Sequence, residues 1–115
     1  AKADKRLKEL ETWFPMSQNF VVKAILRDQP AEAVPRYMAY TMRPLVELLR
    51  MRDCPLRWDF GMRYLDRDLA PEDYARLREL VFVRDFEDLQ RKHAEAAAWG
   101  LSLLQAACEV ATAAT

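Results

Sequence analysis

Glycine is nearly missing from this chain of 115 residues: Gly61 and Gly100 are the only two. Isolated glycines cannot build the loops whose backbone amides cradle phosphate, so neither a P-loop nor a dinucleotide fingerprint forms within the chain. No Asn-Gly or Asp-Gly pair sits between alternating apolar runs, which leaves hairpins, and hence a sheet, without support. Cysteine is equally scarce. Cys54 and Cys108 fall far below the density of a disulfide-stapled secreted domain, and no charged segment leading into an apolar run opens the sequence. A reducing cytoplasm is therefore the expected compartment. His93 is the single histidine and has no second histidine or cysteine at ligand spacing, which argues against zinc. Charge of one sign is not in excess, since Lys plus Arg and Asp plus Glu stand at 18 each. Without an overall field, neither nucleic acid nor an anionic membrane is an expected partner. The most apolar stretch, 96–107, is broken by Gly100, Ser102 and Gln105 and is shorter than the roughly 20 residues that a membrane span requires.

What is there suffices for one core. Hydrophobic residues make up 51% of the chain, enough for a single domain of this length without metals or disulfides. Pro15, Pro30, Pro35, Pro44, Pro55 and Pro71 divide it into segments whose apolar residues recur every three or four positions. The expected fold is all-α, a compact bundle of five to six helices, up-and-down-like, with a kinked central helix. Residues 1–110 should form the single domain, and the alanine-rich 111–115 a frayed tail.

Segment by segment, 5–14 reads as a short amphipathic helix with Leu7, Leu10, Trp13 and Phe14 on its apolar side, closed by Pro15. Ser17 is expected to cap a second helix reaching Asp28, with Met16 and Val21 as its hydrophobic staple. The third, 33–52, contains Pro44, which must free the carbonyl of Tyr40 and kink the helix. Its polar stripe is Arg36, Arg43, Glu47 and Arg50, while Tyr37, Tyr40 and Met51 belong to a wide apolar surface. Residues 57–69 suggest a short helix bounded by turns. Pro71, followed by Glu72 and Asp73, opens a helix that buries Tyr74, Leu77, Leu80 and Val81 and stops near Phe82. Asp85 should cap the last helix, whose seam runs Phe86, Leu89, His93, Ala96, Gly100, Leu103, Ala107.

Few constellations carry chemistry. His93 on that seam is expected to be a core residue bonded to a backbone carbonyl rather than a base. The closely spaced Arg and His of small helical ribonucleases of the HEPN type are missing, because Arg84 is too far from His93 and Arg91 too near. Cys54 precedes a proline, Cys108 sits in an apolar helix and Ser17 looks like a cap, so no nucleophile stands out. The cluster Arg57, Asp59, Arg63, Asp66, Arg67 and Asp68, interleaved with Trp58, Phe60 and Tyr64, has two readings. As surface neighbours three or four apart, such pairs contribute a few tenths of a kcal/mol each. As a cleft, the aromatics would form its walls, the carboxylates would receive a cationic or hydroxyl-rich ligand, and the arginines would hold anionic groups or orient the carboxylates.

The run Arg43-Pro44-Leu45-Val46-Glu47-Leu48-Leu49-Arg50, then Asp53-Cys54-Pro55-Leu56-Arg57-Trp58-Asp59-Phe60-Gly61-Met62-Arg63-Tyr64-Leu65, then Arg67-Asp68-Leu69, with Phe82-Val83 and Asp88-Leu89 further on, resembles the C-terminal helical domain of bacterial nucleotidyltransferases related to the kanamycin and aminoglycoside enzymes. Trp58 stands where that pattern has histidine. The resemblance implies a helical wall of a substrate cleft, non-catalytic alone. Its partner would be a catalytic domain, in cis or in trans, that holds Mg²⁺ and a nucleoside triphosphate, and a homodimer is expected. It also implies that Asp59, Arg63, Tyr64 and Asp68 line the cleft, with no catalytic or metal-binding residue in this chain. The other reading is a free-standing helical interaction module that uses the Tyr37, Tyr40 and Met51 surface.

Overall fold

Pro15 does not end a helix. In the computed structural model, which describes residues 2–114, a single helix α1 runs Lys2–Leu26 with Pro15 inside it. Pro15 lies on the solvent side, while Leu10, Phe14, Ser17, Gln18, Val21 and Ala24 form one continuous buried face across it. An interior proline costs about 3 kcal/mol of helix stability, and that unbroken line of burial outweighs it. Ser17 is accordingly no cap. Its hydroxyl donates to the carbonyl of Phe14 at 3.2 Å, and Met16, 47% exposed, staples nothing. Trp13 also departs from expectation, lying 56% exposed beside the buried Leu10 and Phe14.

The kink at Pro44 takes a definite form. Helix α2, Pro30–Arg36, passes into a π-helical turn, Tyr37–Met42, and then into α3, Arg43–Asp53. The carbonyl of Tyr40, left without its usual donor by Pro44, accepts from Gln18 Nε2 at 2.9 Å. The same amide nitrogen reaches the Phe14 carbonyl at 2.9 Å, while Gln18 Oε1 accepts from Thr41 Oγ1 at 2.5 Å and lies 3.0 Å from His93 Nε2. One buried glutamine thus satisfies groups around two proline-interrupted helices. A wide helical turn whose freed groups are met by side chains is how a proline is accommodated in a core. His93 is buried as expected, yet its partner is the Gln18 side chain rather than a backbone carbonyl.

After α3 come a 3-10 turn, Pro55–Arg57, a four-residue helix α4, Leu65–Asp68, then α5, Pro71–Val81, and α6, Phe86–Ala114. No strand occurs among the described residues, and the fold is an all-α bundle. On α5 only Leu77 and Leu80 are fully buried; Val81 is 38% exposed. Asp85 caps α6, its Oδ1 accepting from the Asp88 amide at 2.8 Å. The expected tail 111–115 continues α6 as far as Ala114, and Thr115 lies outside the described residues. α6 packs along both α1 and α3. Val21, Tyr37, Leu45, Leu49, Leu80, Leu89 and Trp99 share the main core, and Leu10, Phe14, Leu48 and Leu104 a second cluster beside it. Tyr37 is fully buried, its hydroxyl donating to the Leu80 carbonyl at 2.8 Å, so it belongs to no outer surface. Burial pushes its phenol well above the ordinary range, with Glu95 and Asp88 adding to the effect.

Two buried titratable groups make stability depend on pH in the same direction. Asp88, held by the Arg84 amide at 2.9 Å and by Lys92 Nζ at 2.9 Å, is drawn from the ordinary 3.8 down to about 2. His93 is shifted below its ordinary 6.5 by desolvation. In both cases the unfolded chain binds more protons, so stability rises with pH across the shifted interval. The His93 contribution is present above pH 6.5 and is lost as pH falls below it; that of Asp88 is present above 3.8 and is lost toward 2. Urea midpoints measured across this range should fall in two steps. His93→Gln should abolish the upper one, and an unchanged upper step in that variant would refute the assignment.

Candidate functional site

The segment joining α3 to α5 is organised by one side chain that local periodicity places in solvent. Arg50, expected on the polar stripe, is fully buried. Its Nε donates to the Gly61 carbonyl at 3.0 Å, its Nη2 makes a short contact to the Arg63 carbonyl, and its Nη1 reaches Asp68 Oδ2 at 2.5 Å. The guanidinium also lies 5.9 Å from the centre of the Phe60 ring. A charged group leaves water at a net gain only when its donors are paired in this way. Asp68 is shared: Arg57 donates to it from Nη2 at 2.6 Å and from Nε at 3.1 Å. Those bonds, from Arg57 first and Arg50 second, hold the Asp68 carboxyl below the usual range.

The grip shapes the backbone. Gly61 has φ +66°, where a side chain is strained. Tyr64, at φ 60°, adopts the left-handed conformation without being glycine, at a cost of about 1 kcal/mol. Arg50 clamps the carbonyls of Gly61 and Arg63 next to these two turns. The loop between them therefore holds a defined shape.

The four residues expected to line one cleft divide between two. Tyr64 and Asp68 line a hollow of about 290 Å³ with Arg57, Phe60 and Arg67, whose guanidinium lies 4.7 Å from the Tyr64 ring centre. Asp59 and Arg63 instead border a groove of about 760 Å³ that also takes in Arg6, Arg43, Glu47 and Trp58. Phe60 borders both. Asp68 is occupied by its two arginines, so it positions the loop rather than offering a free carboxylate. Asp59 and Arg63 do not pair with each other, and among the described residues neither side chain enters an ion pair; Arg43 is likewise unpaired. Arg6 and Glu47, by contrast, are locked together by two bonds of 2.9 Å that tie α1 to α3. Glu47 bonding raises the Arg6 pKa.

Arg6, Arg43 and Glu47 were not among the expected site residues, whereas Trp58 is one of the aromatics expected to wall a cleft. Arg6 is 41 residues from Glu47 in sequence, beyond any local signal. Arg43 and Glu47 sit four apart on one helix face, and that spacing beside the mixed-charge loop was the only hint. Burial, with a 3.0 Å bond to Glu11 Oε1, pushes Cys108 up to about 11, which keeps it protonated at neutral pH. Among the described residues no three His, Cys, Asp or Glu side chains come together as a candidate metal site. No helix among the described residues is long and apolar enough to cross a membrane.

Fold and loop together define a class, an all-α domain that displays a mixed-charge, aromatic loop on a buried Arg–Asp pair. No protein-family model, curated protein or solved structure matches the chain.

Proposed function

We propose that this chain is the acceptor-recognition domain of a nucleotidyltransferase, a helical wall that works with a catalytic domain, in cis or in trans, and performs no chemistry alone. The observation that supports this reading is the Arg50-anchored loop, which presents the unpaired Asp59 and Arg63 beside Trp58 and Arg43 in one groove. A carboxylate accepts from hydroxyl or ammonium groups, a guanidinium donates to ring oxygens or anionic groups, and an indole offers an apolar face. Side by side they suit a polyhydroxylated ring. Tyr64 and Asp68 belong to the neighbouring hollow, where Asp68 keeps the loop in place. Mg²⁺ and the nucleoside triphosphate fall to the catalytic domain under this reading.

Isothermal titration with kanamycin as the probe tests it. Asp59→Ala and Arg63→Ala should each weaken binding about tenfold, equivalent to about 1.4 kcal/mol. Binding unchanged in both variants refutes the assignment.

The second reading, a helical interaction module, is favoured by the exposed Trp13, Met16 and Phe20 on α1. Of the surface first expected for it, Tyr37 is in the core, while Tyr40 remains 40% exposed beside that stripe.

A further inference from the structure

α1 carries a second stripe besides the one it buries. Glu9, Trp13, Met16, Phe20 and Lys23 follow each other at spacings of four, three, four and three, which places them on one face. Its three apolar members are exposed by 56%, 47% and 39%. This is the repeat of a helix seam, about 21 Å long at 1.5 Å per residue, and among the described residues no other element covers Trp13 and Met16, while Tyr40 flanks Phe20. Beside it lies a groove of about 410 Å³ between α1 and the π turn, walled by Trp13, Phe20 and Tyr40 and floored by Leu10 and Phe14. The Phe20 and Tyr40 rings are 6.1 Å apart, so the groove has a firm aromatic wall.

The charges at the two ends of the seam identify the occupant. Glu9 lies seven residues before Met16 and Lys23 seven after it. A second copy of α1 laid antiparallel about a two-fold axis through Met16 sets each Glu9 against the other copy's Lys23. It brings each Trp13 into the layer beside the other copy's Phe20 and puts Met16 against Met16. A parallel arrangement would oppose Glu9 to Glu9 and Lys23 to Lys23. Self-complementarity of this kind is the property of an isologous interface, in which one patch meets its own copy. Glu9 keeps carboxylate surface for it: although bonded to Arg6 at 3.2 Å, its side chain is 45% exposed. Lys23 lies 6.0 Å from the Phe20 ring centre, at the edge of the seam.

We propose that the chain forms an antiparallel homodimer through the α1 seam, with Trp13, Met16 and Phe20 at its centre and reciprocal Glu9–Lys23 pairs at its ends. Asp59 and Arg63 take no part in it, so this interface and the acceptor-site reading can fail separately.

Sedimentation equilibrium of the full chain over a concentration series tests the proposal. The parent should associate to twice the chain mass. Glu9→Lys and Lys23→Glu should each raise the dissociation constant about tenfold by opposing like charges, and the double variant Glu9→Lys/Lys23→Glu should recover the parent value within about threefold. Trp13→Ser, at a side chain already more than half exposed, should give a monomer with unchanged circular dichroism. A parent that stays monomeric at about 100 µM overturns the proposal and leaves the seam to another domain or partner. So does a dimer indifferent to all four variants, or one that the double swap does not restore.

Discussion

Replacing Arg50 by alanine should cost about 3 to 5 kcal/mol of folding stability, the range for breaking a buried, fully bonded charge pair. The magnitude follows from what the guanidinium leaves behind. Arg50 is among the largest fully buried side chains in the chain, so truncation opens a cavity. It also orphans the carbonyls of Gly61 and Arg63 and removes one of the two cations from Asp68. Unsatisfied buried acceptors are destabilising well beyond the modest net value of the bonds themselves. Arg57 still reaches Asp68, but its own side chain is 49% exposed and cannot fill the space. With the clamp gone, the left-handed turns at Gly61 and Tyr64 lose their support. Amides 58–64 should then exchange freely with solvent even under conditions where α6 stays protected. Arg50→Lys should not rescue the variant, because an ammonium cannot span two carbonyls and a carboxylate in the planar fork of a guanidinium. Urea unfolding combined with hydrogen exchange decides the matter. A loss under about 1 kcal/mol with an unaltered loop would mean that the Arg50 network is incidental.

Gly100→Ala should destabilise the chain although it removes a glycine from the middle of a helix. Alanine is favoured over glycine there by about 1 kcal/mol, so on a free face the change would stabilise. At Gly100 an added Cβ would lie 2.3 Å from Cζ and 2.7 Å from Cε2 of Phe14. Phe14 is 1% exposed and packs with Leu10, Leu48 and Leu104, so its ring has nowhere to retreat. Overpacking of this kind costs about 1 to 3 kcal/mol, and here the clash is with a ring end in a closed cluster. Set against the helix-propensity gain, a net loss of about 1 to 2 kcal/mol is expected. The double variant Phe14→Leu/Gly100→Ala should lose less than the sum of its parts, since leucine vacates the space the new methyl needs. Thermal unfolding of the three variants completes the cycle. A Gly100→Ala chain more stable than the parent would refute the contact on which α1 and α6 meet.

Arg50 and Pro15 show where reading along the chain stops. A heptad-like row of Arg36, Arg43, Glu47 and Arg50 is the ordinary mark of a solvated helix face, yet its last member is the most deeply buried charge described. The reason is its partner: Asp68 lies 18 residues away, on another helix, and only folding brings it within reach. Pro15 likewise obeys a local rule that the core overrides, because Leu10, Phe14, Val21 and Ala24 remain on one face only if the helix continues. The candidate site was legible as a stretch, 57–68, because mixed charges and aromatics crowd it. Its division was not legible, because whether Asp59 and Asp68 face one hollow or two depends on how the loop turns at Gly61 and Tyr64.

By itself the sequence determined the helical class, since two glycines and no hairpin signal leave no route to a sheet. It also determined the start of α5 at Pro71, the cap of α6 at Asp85 and the freed carbonyl at Tyr40. Each of these is set by a residue acting within one turn of itself. Only the tertiary structure decided that Gln18 receives that carbonyl, that Arg50 goes inside, and that Glu9, Trp13, Met16, Phe20 and Lys23 stay outside. Those outcomes rest on contacts between segments far apart in the chain, where burial of one group is decided by what another helix brings to meet it.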